Sequence, residues 1–424
     1  MIVLRWLAIF AWFAAGGAMA AQWPVKGSLV IVGGALSAEN EAVHRAFIAR
    51  ALGPQPRFAI IPSASGSPAS SAEAMRQTLI RYGVPSSRID VVKLAVVDDP
   101  GTPKVNEALW DNAANTEEIA KIQRAGAIWF TGGDQARTTK RLLLPGIGAD
   151  SAMLKALRLR LSQGAVIGGS SAGAAIMTEI MIARGDSMQS LVQPIERDPM
   201  ADDRDGGPLA MAKGLGFLPI GLADQHFDRR ARLGRLARAL FEREPSNRIG
   251  FGIDEDTGFI VDFATRSARV VGKGGVTLID GRQGKEVGSE AKFAAQGLEV
   301  SWLTEGDTLN LESLNVRPAT YKKPTIGNEY YDQPALNGGG MAVPNNALSD
   351  ALGMDLLDNA AVKRIERTSF DGMGRGVRYI FAETAYSVGW VGTDPKGNEN
   401  YTIARVGFDI QAVDVTITEA IAAR

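Results

Sequence analysis

The chain predicts an α/β fold with a mostly parallel sheet and helices on both faces. Two observations carry this expectation. Between residues 28 and 177, short β-rich runs ending in small residues alternate with helical periods of about 10–15 residues, the signature of βαβ units. The 424 residues are 45% hydrophobic and 22% charged, an ordinary globular composition with length for a large core and more than one structural unit.

In chain order, "SLVIVGG" opens the series and is followed by the helical "AENEAVHRAFIARALG". "RFAIIPSAS" precedes the helical "SSAEAMRQTLIRYG", and "RIDVVKLAV" precedes "NTEEIAKIQRAG". "AIWFTGGDQ" leads into a further helix, and "GAVIGGSSAGAAIM" completes the series. Residues 178–213 are polar and are expected to form a long loop near the site. "GLGFLPIGLADQHF" then enters a helix over "DRRARLGRLARALFERE". "RIGFGIDEDTGFIVDF", "ARVVGKGGVTLID" and "LEVSWLTEGDTLNL" read as closing strands, which sets the main domain at 21–315. Residues 316–424 are turn-rich and then alternating, an appended α+β extension of undisclosed role.

Residues 1–20 read as a secretory signal: Arg5, a short apolar stretch and "AMA" before the expected cut. The mature protein is therefore expected to be exported, secreted or periplasmic, with no membrane attachment after cleavage. A net charge of -1 lacks the strongly basic character of nucleic-acid binding. With no cysteine there is no disulfide, thiolate metal site or cysteine nucleophile.

In parallel sheets a site forms beyond the carboxyl ends of the strands. Four such ends are small or polar: Gly33-Gly34, Pro62–Ser65, Gly132–Gln135 and Gly168–Ser171. The last continues as Gly169-Ser170-Ser171-Ala172-Gly173, a G-x-S-x-G turn. Such a turn holds its central serine in a strained conformation, and the next amide, Ala172, sits where an oxyanion would develop. Phosphate binding is the competing use of a glycine turn, but the chain has no G-x-x-x-x-G-K-[ST].

A serine nucleophile needs a base, and the chain has two histidines. His44 falls among Val43, Phe47, Ile48 and Ala51 on a helical wheel and reads as a core residue. His226, between an apolar run and a helix, sits where a strand-edge loop feeds a site. Its orienting acid is one of Asp254, Glu255 and Asp256, among which spacing does not choose. Six arginines follow, at 229, 230, 232, 235, 238 and 243. Arg238 is expected on the outer helix face, and Arg229 and Arg230 in the first turn, pointing to the pocket. Arginine's planar fork suits carboxylates, so an acidic substrate is expected.

Taken together, "TGGDQ", "GGSSAGA", "DQHF" with its arginines, "GIDEDTG" and "EGDTLNL" resemble the cyanophycinases. These are serine exopeptidases related to peptidase E, with a class I glutamine amidotransferase-like fold. The resemblance runs from about residue 28 to 312. It implies hydrolysis of cyanophycin, a polyaspartate bearing arginine on each side-chain carboxyl, to β-Asp-Arg dipeptides. It implies Ser171 as nucleophile, His226 as base and Glu255 as acid, with the amides of Gly133 and Ala172 as oxyanion hole. It further implies Gln135, Asp224, Gln225, Arg230, Arg232 and Arg235 as substrate-binding residues, a homodimer, and no metal or cofactor. Two rivals stand beside this reading: a peptidase E-like aspartyl dipeptidase, and an inactive secreted protein that binds acidic polymers. The arginine-bearing helix favours the polymer over a dipeptide, and the complete Ser171, His226 and Glu255 set argues against an inactive binder.

Overall fold

The computed structural model describes residues 26–197, 206–335, 338–342, 348–416 and 418. The expected signal segment 1–20 lies outside the described residues, as does part of the expected loop 178–213.

The first part of the chain forms β1 (Ser28–Val32), α1 (Glu41–Ile48), β2 (Arg57–Ile61), α2 (Pro68–Arg81), β3 (Ile89–Val91), α3 (Thr116–Arg124), β4 (Ala125–Phe130), α4 (Gln135–Leu142), α5 (Ala152–Ser162), β5 (Val166–Ser170) and α6 (Ala172–Ala175). The five strands lie parallel in the order β1-β5-β4-β2-β3. Both faces are covered, as the apolar runs require. Leu29 and Ile31 of β1 enter one core, while Val30 and Val32 enter another with Val43 and Phe47 of α1. Side-chain caps start α1 and α4: Asn40 accepts from Val43 N, and Asp134 of "GGDQ" from Ala136 N at 2.8 Å.

Segment 178–213 is more regular than its polarity predicts. It contains β6 (Ile180–Arg184), α7 (Ser187–Val192) and β7 (Ala210–Lys213). Met188, Leu191 and Val192 are buried, so α7 is held by a few apolar contacts within a polar stretch.

The rest of the main domain is β8 (Leu222–Asp224), α8 (Leu233–Leu240), β9 (Ile249–Ile253), β10 (Thr257–Asp262), β11 (Ser267–Gly272), β12 (Val276–Asp280), β13 (Lys285–Glu286), β14 (Ala295–Leu303) and β15 (Thr308–Asn310). The run "RIGFGIDEDTGFIVDF" is two strands rather than one. β10 extends the parallel sheet antiparallel to β1, with β11 and β15 beyond it, whereas β9 belongs to a second sheet with β8, β12 and β14. The break falls at Asp254-Glu255-Asp256, where Asp256 takes φ 53°. The large sheet is therefore mixed, with its parallel half on the βαβ side.

The C-terminal segment adds β16 (Val316–Arg317), β17 (Lys323–Pro324), α9 (Leu348–Leu352), β18 (Arg364–Phe370), β19 (Arg375–Ala382), β20 (Val388–Thr393) and β21 (Glu399–Asp414). β16 pairs with β15 at the edge of the first sheet, whereas β21 pairs along β14, so β17 to β21 widen the second sheet. Alternation along β21 matches its sequence pattern. A buried ammonium fastens the addition. Lys322 Nζ donates to both oxygens of Asp307 at 2.9 Å and to Thr402 Oγ1 at 2.6 Å.

Candidate active site

The strand ends named from sequence do converge. A Cβ on Gly132, after β4, would lie 3.3 Å from Ser171 Cβ, and Asp134 N donates to Ala64 O at 2.9 Å. Ser171 follows β5 at φ 56° and ψ -113°, and its amide donates to Val32 O at the end of β1. Only close backbone packing permits this bend: a Cβ on Gly169 would lie 2.5 Å from Gly173 O. The serine is thus lifted from the sheet edge in a conformation that non-glycine residues seldom adopt.

His226 arrives from the other sheet, one residue beyond the buried Gln225 that follows β8. Its amide donates to Gly33 O at 2.6 Å, and it too has a positive φ, 47°. Its ring rests on Gly34, where a Cβ would come within 2.3 Å of the imidazole. The glycine pair after β1 is therefore the seat of the histidine rather than a phosphate loop. Nε2 is 2.9 Å from Ser171 Oγ, and Nδ1 is 2.6 Å from Glu255 Oε1.

The three neighbouring acids are separated by geometry, since they form the turn between the sheets. Asp254 is buried and accepts from Asp228 N and Gly275 N, at 3.0 and 2.9 Å. Burial pushes its carboxyl up to about 7, against those two amides. Asp256 accepts from Ser37 N, Asn40 Nδ2 and Lys273. Glu255 alone of the three reaches the imidazole. Burial holds His226 below the usual imidazole range; Glu255 opposes that shift, while Arg230 and Arg232 add to it. A neutral imidazole beside a hydroxyl is the protonation state a general base requires.

Residues 104–264 match the model of peptidase family S51. Cyanophycinase from Geminocystis herdmanii (strain PCC 6308) is 32% identical over 294 residues, covering 68% of this chain and 94% of that protein. The chain belongs to the cyanophycinase family of serine peptidases. Cyanophycinase from Synechococcus elongatus is 30% identical over 69% of this chain and 81% of its own length. That from Trichormus variabilis (strain ATCC 29413 / PCC 7937) is 29% identical over 70% and 90%. The crystal structure of a peptidase from an acI-B1 Actinobacterium aligns with 68% of this chain and 98% of its own, at TM-score 0.46 and 20% identity.

In this cyanophycinase-family chain the arginine-rich stretch differs from its sequence reading. The helix starts at Leu233, because residues 227–232 form turns in which Ala231 takes φ 49°. Arg229 and Arg230 lie exposed on those turns rather than in a helix. Arg238, expected outside, is buried: its guanidinium covers the Phe293 ring at 4.6 Å and meets Glu286. A wheel drawn on one helix could not register that the second sheet covers its far side.

The other residues implied by the resemblance fall into two groups. Asp224, Arg232 and Arg235 are buried together. Arg235 Nε and Nη2 grip the Asp224 carboxylate, Arg235 Nη1 donates to Gly185 O, and Arg232 Nη1 donates to Gln225 O at 2.6 Å. Burial would raise the Asp224 carboxyl, but the Arg235 and Arg232 charges hold it below its ordinary value. Gln225 Oε1 approaches Ser171 Oγ at 3.5 Å, and Gln135 Nε2 donates to Ile182 O and Ala183 O at 3.1 and 2.6 Å. Sequence reasoning named Gly34 as part of a strand end and Asp254 as a candidate acid, but not their roles in joining the sheets: Gly34 as the seat of the imidazole and Asp254 as an anchor for the amides of Asp228 and Gly275. His44 is buried, 5.2 Å from the Tyr82 ring, with Nε2 on Ser37 O. Among the described residues no acidic or histidine cluster could hold a metal ion, and no helix is long and apolar enough to cross a membrane.

Proposed function

We propose that this serine peptidase is an exported exopeptidase that hydrolyses cyanophycin to β-Asp-Arg dipeptides through Ser171, His226 and Glu255. The observation that carries the mechanism is the unbroken line Ser171 Oγ–His226 Nε2–His226 Nδ1–Glu255 Oε1, at 2.9 and 2.6 Å. Ser171 Oγ attacks the scissile carbonyl while His226 Nε2 takes its proton. The amides of Gly133 and Ala172 receive the developing oxyanion. Collapse breaks the C–N bond, and His226 returns the proton to the leaving amine, leaving an acyl-enzyme ester. Water, deprotonated by the same imidazole, then attacks the ester and releases Ser171. Glu255 stabilises the imidazolium in both halves.

Two features support the substrate. Relatives that cover 68% and 69% of this chain carry the name cyanophycinase, and the charges of Arg230 and Arg232 act on His226. Gln135, Gln225 and Arg230 face the polymer in this reading, while Asp224, Arg232 and Arg235 shape the wall from behind through Gln225. Export rests on the character of residues 1–20, and a homodimer on the family resemblance.

The test is to incubate residues 21–424 with insoluble cyanophycin and identify soluble products by mass. β-Asp-Arg dipeptide is expected from the wild type. Ser171→Ala should lower the rate by at least about 10³-fold, and Ser170→Ala should leave most of it. Release from free aspartyl dipeptides alone would favour the dipeptidase. Equal loss in both serine variants would overturn the assignment of the nucleophile.

A further inference from the structure

We infer that Asp228 is a positioning residue for the hydrolysis proposed above, seating the turn that carries His226 against α9 and so making the C-terminal segment part of the active-site scaffold. The inference rests on that catalytic reading.

Asp228 follows His226 by two residues, in the turns that precede α8. Its two polar groups face two different parts of the molecule. The amide donates to Asp254 Oδ1 at 3.0 Å, beside Glu255. The carboxylate Oδ1 accepts from Leu348 N at 3.3 Å, the first residue of α9. Asp254 Oδ2 in turn accepts from Gly275 N. A continuous path therefore runs from α9 through Asp228 and Asp254 to the turn that holds Glu255. Apolar packing follows the same route: Phe227, Leu236, Leu348, Leu352 and Tyr379 share one buried cluster. Phe227, between His226 and Asp228, is 1% exposed. Every one of these contacts bears on the histidine side of the site.

A displacement of about 1 Å at a catalytic group costs up to about 10²-fold in rate. Loss of the Asp228–Leu348 contact acts first on the placement of His226, which works in the chemical step, and less on Arg230, the exposed residue of the same turn that faces the polymer. The expected signature is a fall in kcat at nearly constant KM.

The experiment uses residues 21–424 and soluble cyanophycin oligomers, with thermal melting recorded for each variant. Asp228→Ala should lower kcat about tenfold with KM within about twofold. Asp228→Asn keeps an acceptor for Leu348 N and should restore kcat to within about threefold of wild type. Leu348→Pro removes the amide donor at a first helical position, where proline is tolerated, and also replaces a buried side chain, so its kcat is read beside its melting temperature. It should reproduce the Asp228→Ala signature, and the double variant should be no worse than either single one. If Asp228→Ala fails to fold, Leu348→Pro with wild-type kcat overturns the inference. Asp228→Asn impaired as deeply as Asp228→Ala also overturns it, because charge rather than seating would then matter. Ser171→Ala run alongside separates the two claims: if it stays active, the catalytic reading falls and takes this inference with it. If it is dead while the Asp228 and Leu348 variants are normal, only the inference fails.

Discussion

Ser171 and His226 reach the same point by different routes. Ser171 sits on a bend made by its neighbours, the end of β5 and the start of α6, with its amide donating one hydrogen bond to Val32 O. His226 depends on distant chain. Its amide is held by Gly33, its ring lies on Gly34, its Nδ1 meets Glu255, and the next residues bond to Ile253 and Asp254. The proposed nucleophile is thus a local device and the proposed base a long-range one. Damage far from the chemistry should reach the histidine first.

The strongest way to break this comparison is to ask whether the two halves act as one unit. Glu255→Gln preserves the shape of the acid but removes the charge that stabilises an imidazolium. We expect kcat to fall about 10²–10⁴-fold. In the Ser171→Ala background the same change should cost almost nothing, because residues that act together are strongly non-additive. Steady-state rates of both single variants and the double decide it. Full additivity would mean that Glu255 does not work through His226 on Ser171.

The contrast explains what was legible in the sequence. The parallel half was readable because each strand, its small-residue end and its helix follow one another, and local periodicity reports local structure. The Ser171 bend was readable for the same reason. His226 was singled out by scarcity and by its place between an apolar run and a helix. The acid could not be selected from spacing because Asp254, Glu255 and Asp256 lie in a turn between two sheets, where strand alternation does not apply. The helix start at Leu233 was hidden because the positive φ of Ala231 is imposed by surroundings and not by alanine. Burial of Arg238 needed knowledge of Phe293 and Glu286, which only the second sheet brings near.

A smaller effect is expected where the two routes touch. Gly34 belongs to β1's end yet supports the histidine ring. Gly34→Ala would place a methyl 2.3 Å from the imidazole at a backbone φ of 113°, so the ring must move. A loss of about 10–100-fold in kcat is expected, with the Ser171 bend intact. Reaction of Ser171 with a fluorophosphonate probe, followed alongside kcat, should slow in parallel. Unchanged kcat in a folded variant would remove Gly34 from the site.

The smallest effect concerns charge rather than position. Burial lowers the proton affinity of His226, and Arg230 and Arg232 lower it further, against Glu255. The imidazole therefore stays neutral to a lower pH than a free histidine, whose pKa is about 6.5. The acid limb of kcat/KM should accordingly fall below that value, with activity rising as pH increases through it. Arg230→Gln removes a cation that disfavours the imidazolium. His226 should then bind its proton more tightly, and the acid limb should move up. Activity near pH 6 drops relative to that near pH 8, whatever happens to substrate affinity. Arg229→Gln, on the same exposed turn, is the control that should leave the limb in place. An acid limb that stays in place or moves down in Arg230→Gln would show that this guanidinium does not disfavour the imidazolium. The poise of His226 would then rest on burial and Arg232, against Glu255.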